Sequence, residues 1–329
     1  MKSVARLSAI AGLALAVLLF AREDIRSIVA LVVAAGPGLL LAALFHVLPM
    51  MANARGWQRL FPRSQRPSFR VLTWATWLRE SVNGLLPVAR IGGEVVAYRV
   101  VRHDSAPGRQ VAASLLADMA LSVFSQTSFA LLGLALLFAI GHTPTATTQL
   151  LAGVVSMIPL GVGFVVAQRG GALSVLIRLL DRLFAGRLAA AQIHAEGFDD
   201  ALRAVYERHR DIGACFMWQL GGWMLGAGEI WLALLFLGLD RSLLDAIAIE
   251  ALIQAVSSAA FMVPAALGVQ EGAFVVIGAA LGIDAASALA LATARRVRDL
   301  LIFFPGLIAW QWTETHPRDA GSTGATPLP

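Results

Sequence analysis

Two apolar segments of this chain share one spacing of Ser, Pro and Glu. The first reads Ser81-Val-Asn83-Gly-Leu-Leu-Pro87-Val-Ala-Arg90-Ile-Gly-Gly93-Glu94. The second reads Ser258-Ala-Ala-Phe-Met-Val-Pro264-Ala-Ala-Leu-Gly268-Val-Gln-Glu271. In both, Pro follows Ser by six residues and Glu follows Pro by seven. A carboxylate among apolar residues is costly in lipid, so Glu94 and Glu271 are candidate site residues. Pro and Gly interrupt helices, and an interrupted helix at membrane depth survives only where protein or a water-filled cavity satisfies its backbone. Matching interruptions in two halves of a chain mark transporter binding sites. The chemistry on offer is recognition of a polar headgroup or carriage of a proton. The competing reading is that each Glu only caps a helix N-terminus.

Further charges lie around these segments. Continuing the same register sets Asp118 opposite Arg295. Arg295, Arg296, Arg298 and Asp299 interrupt an otherwise apolar run, and pairing with Asp118 would lower their cost. The expected contact is Asp118–Arg295 or Asp118–Arg298, against the reading that these arginines face an interface. Arg79 and Glu80 form a second expected salt bridge. Arg90 is the best placed cation for an anionic headgroup. Asn83 is a hydrogen-bonding candidate, and Pro87, Gly93, Pro264 and Gly268 are the expected hinges.

The elements positioning these groups follow from composition. Hydrophobic residues make up 58% and charged residues 14% of 329, whereas soluble domains carry about 25% charge. The chain is therefore expected to be an all-α polytopic membrane protein. Six spans are expected at about residues 4–20, 28–51, 111–140, 148–168, 212–239 and 285–312, with broken segments at 71–102 and 246–282. Asn53–Arg70 carries five arginines and no acid, which assigns it to the cytoplasm. The stretch 169–211 carries seven arginines, which assigns it to the cytoplasm; an amphipathic pattern over Leu173–Phe184 is expected to form a helix on the membrane surface, followed by a second helix at about Ala190–Arg210. If each broken segment dips and returns, the two halves have opposite orientation and both termini are cytoplasmic. The expected organisation is one membrane domain over 1–312, with repeats at about 71–135 and 248–312, two re-entrant helical hairpins in an inverted repeat, and a disordered tail over 313–329.

Several classes are disfavoured. The net charge of +5 comes from arginines between apolar runs, which suits anionic lipid rather than nucleic acid. A lone Cys215 excludes an intrachain disulfide. The histidines show no metal-ligand spacing, and HExxH, GxSxG and P-loop motifs are absent. Neither an enzyme activity, a metal nor a cofactor is expected.

The run Asn83 to Glu94, together with Pro264-Ala-Ala-Leu-Gly268-Val-Gln-Glu271-Gly272, Gly282 and Arg296, resembles the two signatures of a flippase-like membrane family. That family includes the transmembrane region of lysylphosphatidylglycerol synthases. Where its pattern carries a Glu-Arg pair, this chain has Ala117-Asp118, followed by Ser125-Gln126, which resembles the hopanoid-biosynthesis-associated subgroup. The resemblance implies a bacterial inner-membrane protein that binds or translocates a lipid, a hopanoid or phospholipid, without the soluble transferase domain. Glu94, Glu271, Arg90, Asp118, Arg296 and Asn83 would contact the cargo. Two alternatives stay open: a non-transporting scaffold that partners lipid-biosynthesis enzymes, and a proton- or ion-coupled small-solute transporter.

Overall fold

A computed structural model describes residues 25–86, 92–104, 106–140, 198, 200–260, 263 and 266–315. The described residues are helical and contain no strand. In chain order the helices are α1 (Ile25–Ala35), α2 (Pro37–Phe45), α3 (Val47–Arg59), α4 (Phe69–Leu85), α5 (Gly92–Asp104), α6 (Gly108–Ile140), α7 (His209–Phe236), α8 (Leu243–Ala259), α9 (Val269–Ala280) and α10 (Ala285–Thr315). A 3-10 turn at Arg63–Gln65 links α3 to α4. Pro37–Arg59 and Gly108–Ile140 are long and apolar enough to cross a membrane.

Helix ends follow local chemistry. The Val71 N–H donates to Ser68 Oγ at 3.3 Å, capping α4. A Ser242–Asp245 capping box opens α8. The Ser287 N–H donates to Asp284 Oδ1 at 2.9 Å, capping α10. Leu86, which ends α4, is extended at φ −102° and ψ 147°, the conformation imposed on a residue before proline. Gly268 opens α9 at φ +73°, a conformation that glycine adopts without a Cβ penalty.

The helices fall into two series of similar length. α4, α5 and α6 have 17, 13 and 33 residues; α8, α9 and α10 have 17, 12 and 31. Packing crosses between the series. α4 lies on α10, α8 lies on α6, and α3 lies on α7. Both crossings use glycine. A Cβ at Gly133 of α6 would collide with Ala251 of α8, and one at Gly306 of α10 would collide with Ser81 of α4. Small residues at crossings let helix backbones approach closely in a membrane.

Two boundaries differ from the sequence expectations. Asn53–Arg59 is the end of α3 rather than loop, because Ala54, Trp57, Leu60 and Phe61 bury there. The helix that includes span 6 continues through Thr315, so the first residues of the expected tail are helical. Residues 200–207 are helical, inside the second helix expected at about Ala190–Arg210, and Leu202 and Val205 pack with Trp57 and Phe61. The spans at 4–20 and 148–168, the rest of 169–197 and the tail from 316 lie outside the described residues, as do Pro87, Arg90 and Pro264.

Candidate functional site

Polar residues form a belt between two apolar clusters. Along α6, Val111 to Leu121 belong to one cluster and Ala130 to Leu137 to the other, with Ser125 and Gln126 between. Along α7, Cys215 belongs to the first cluster and Ile230 to Leu237 to the second, with Gln219 and Glu229 between. His46 separates Ala42 from Ala54 in the same way. The polar groups thus spread over several turns of each helix, from Asp118 to Gln126 on α6 and from Gln219 to Glu229 on α7.

Arg79 of α4 is the hub on one side. Its Nη1 donates to Asp118 Oδ2 at 2.8 Å and lies 3.6 Å from Glu94 Oε2. Gln219 Nε2 donates to the other Asp118 oxygen at 2.8 Å. The guanidinium also sits 5.5 Å over the Trp57 ring, within cation–π range. Asn83 Oδ1 accepts from the Gly93 N–H at 2.8 Å, tying the end of α4 to the start of α5. Gly93 is a point of tight packing, since a Cβ there would collide with the Arg79 carbonyl.

The other side holds four carboxylates and three arginines. Arg295 donates to both oxygens of Glu250, and Gln254 Nε2 donates to Glu250 Oε1 at 2.7 Å. Arg298 Nε lies 3.1 Å from Glu229 Oε1, an ionic contact whose N–H is not aligned on the oxygen. Arg296 Nε donates to Glu271 Oε1 at 2.8 Å. Asp299 lies 3.7 Å from Arg296 and 3.3 Å from Arg298 and so joins the two. Gln126 Nε2 donates to Ser258 Oγ at 2.5 Å and to the Gln254 carbonyl at 2.9 Å, fastening α6 to α8. A small crevice of about 10 Å³, room for about one water molecule, lies beside Glu229, Arg295 and Arg298, walled by Leu39, Ala42 and Leu291.

Glu94 and Glu271 occupy equivalent places, each the third residue of its short helix. The positive end of a helix dipole favours a carboxylate there. Each also leaves its Oε2 buried with no hydrogen-bond donor among the described residues. The capping reading therefore accounts for part of each acid and not for the second oxygen.

Two expected pairings are corrected. Asp118 is paired with Arg79, not with Arg295 or Arg298, whose partners are Glu250 and Glu229. Arg79 is not paired with Glu80, which instead faces His46 at 3.6 Å. Adjacent helical residues point about 100° apart, so neighbours in sequence do not face each other. Glu229, Glu250 and His46 were not among the expected site residues. Glu229 and Glu250 carry the signal that marked Glu94, an acid inside an apolar run.

Among the described residues, no three His, Cys, Asp or Glu side chains are arranged to hold a metal ion. Outside the belt, burial is the main cause pulling the Arg66 guanidinium below its usual range; Asp211 opposes this, while Arg59, Arg63 and Arg208 add to it.

The family model described as the lysylphosphatidylglycerol synthase TM region matches residues 4–306. No curated protein and no solved structure matches the chain.

Proposed function

Because the chain belongs to the lysylphosphatidylglycerol synthase TM region family, a membrane family of lipid-related function, we propose that it carries a lipid between the leaflets of the bacterial inner membrane. The headgroup enters the polar belt while the acyl or polycyclic part stays in the bilayer. The reading rests on Oε2 of Glu94 and of Glu271, both buried and without a hydrogen-bond donor among the described residues, Glu94 Oε2 having only the 3.6 Å ionic contact with Arg79. An unmet acceptor in a low-dielectric interior is costly. A headgroup hydroxyl or amine supplies the missing donor at each acid in turn. A hopanoid or its polar derivative has the required hydroxyls and is the cargo we propose, with a phospholipid as the alternative.

In this reading six helices span, and α4–α5 and α8–α9 are re-entrant hairpins of opposite orientation. Both termini are cytoplasmic. The α4–α10 and α8–α6 crossings make each hairpin move against the long helix of the other half. Asp118 and Arg296 hold Arg79 and Glu271 in register, and Arg90, between α4 and α5 in the sequence, is the proposed cation for an anionic headgroup.

Mass spectrometry of lipids co-purifying with the wild type and with Glu94→Gln/Glu271→Gln tests the reading. One lipid class should be enriched in the wild type and lost from the variant. A bulk-membrane profile in both refutes a lipid site at these acids.

A further inference from the structure

His46 stands at the junction of α2 and α3, ending one helix and opening the next. Its side chain is only 13% exposed. Nδ1 lies 2.7 Å from Glu229 Oε2 on α7, and Nε2 lies 3.6 Å from Glu80 Oε2 on α4. Arg298 Nη1 on α10 lies 3.0 and 2.9 Å from the two ring nitrogens. The Phe303 ring closes the site edge-on, with centroids 5.6 Å apart.

These neighbours compete for one ring nitrogen. A neutral imidazole offers one N–H and one lone pair; an imidazolium offers two N–H groups and no lone pair. Glu229, 2.7 Å from Nδ1, takes an N–H in either state. At Nε2, Arg298 calls for a lone pair, whereas Glu80 at 3.6 Å favours a proton. The proton count on His46 therefore selects between α10 and α4 while α7 stays held. Neutral, its Nε2 accepts from Arg298 and holds α10. Protonated, it turns Nε2–H toward Glu80 and pushes Arg298 away.

We propose that His46, with Glu80, Glu229 and Arg298, is a proton-binding site whose loading is coupled to the position of α10 against α3, α4 and α7. The other charges that α10 turns toward this site are Arg295, held by Glu250 of α8, and Asp299, 3.3 Å from Arg298 Nε. Asp299 continues the chain through Arg296 to Glu271. Displacing Arg298 thus disturbs the ion pair at one of the two proposed lipid acids. The role of the proton as energy input rests on the lipid reading above, whereas the proton site itself does not.

The closing experiment separates the two. The full chain, labelled with 15N-histidine and reconstituted in phospholipid bilayers, is titrated over about pH 5 to 8 by solid-state NMR. His46→Gln assigns the signal; if that variant fails to fold, Glu80→Gln assigns it by displacing a single resonance. His46 should convert between imidazolium and neutral ring within this range. At fixed pH near about 6.5, the imidazolium fraction should fall in Glu229→Gln and rise in Arg298→Gln. A ring that keeps one state throughout, or that titrates identically in both variants, overturns the proton site and leaves His46 as a structural tie. In the same bilayers, translocation of a fluorescent phospholipid and of a hydroxylated hopanoid is followed across an imposed pH gradient. Coupling predicts a rate change of about tenfold across the titration. A pH-independent rate overturns the coupling. If neither lipid moves while His46 titrates, the proton site stands and the lipid reading falls.

Discussion

Replacing Arg79 with Gln tests the pairing on which one side of the belt depends. The Arg79 side chain is 12% exposed and that of Asp118 4%. Gln219 holds one Asp118 oxygen and Arg79 the other. Removing the guanidinium strands Asp118 with one hydrogen bond and takes from Glu94 its nearby cation. Breaking a buried pair from one side costs about 3–5 kcal/mol. Asp118→Asn should cost less, about 1–3 kcal/mol, because Arg79 keeps Glu94. The double variant no longer carries an unpaired charge at 118, so its cost should fall about 2 kcal/mol short of the sum of the singles. The assay is reversible unfolding in mixed micelles, followed by tryptophan fluorescence as the denaturing detergent fraction rises. A second cycle pairs Asp118→Asn with Arg295→Gln. Those residues have separate partners, so their costs should add to within about 0.5 kcal/mol. Additivity in the Arg79 cycle, or an equal coupling in the Arg295 cycle, refutes the assignment.

Three further outcomes are expected. Gly133→Leu drives a side chain into Ala251 of α8 and should lower stability by about 1–3 kcal/mol, read as a lower thermal midpoint in detergent. Ala266 sits at φ +48° in the second break; Ala266→Gly relieves that left-handed strain and should raise stability by about 1 kcal/mol, and an unchanged midpoint would remove strain from the account of this turn. The N–H of Ser287 holds the Asp284 carboxyl below its usual range. A carboxyl lowered in the folded state stabilises above its unfolded pKa of about 3.9 and loses that contribution as pH falls through the folded value. Acid should therefore lower the midpoint of the wild type more than that of Asp284→Asn, which caps without titrating; matching acid profiles would refute this.

The helix breaks are legible in the sequence because they are local. Leu86 is extended because proline follows it, and α9 opens at Gly268 because glycine permits the turn. The partner of Asp118 is not local. Aligning the two halves set it beside Arg295, but aligned residues are equivalent positions, and equivalent positions touch only where a symmetry axis passes between them. Glu229 and Glu250 escaped for the opposite reason. At the shared spacing their counterparts are Ala52 and Thr73, so a search for matched acids passes over them. His46 gave no local signal, since its meaning lies in Glu80, Glu229 and Arg298, which come from three other helices.

The same contrast carries a functional argument. Helix order and length recur in the two series, but the charges do not. Around α5, one described arginine serves Glu94 and Asp118. Around α9 and α10, Arg296, Arg298, four acids and His46 are linked through shared partners, and Arg295 pairs with Glu250 beside them. On the proposed reading, the matched helix pairs are what allows two arrangements of similar packing energy, as alternating access needs. Unmatched charges make the two arrangements respond differently to a proton or a headgroup. On the proposed reading, Glu229→Gln, which removes an acid whose counterpart in the other half is Ala52, should narrow the difference between the lipid rates from the two faces of the membrane. Identical rates from both faces in the wild type would remove the asymmetry argument altogether.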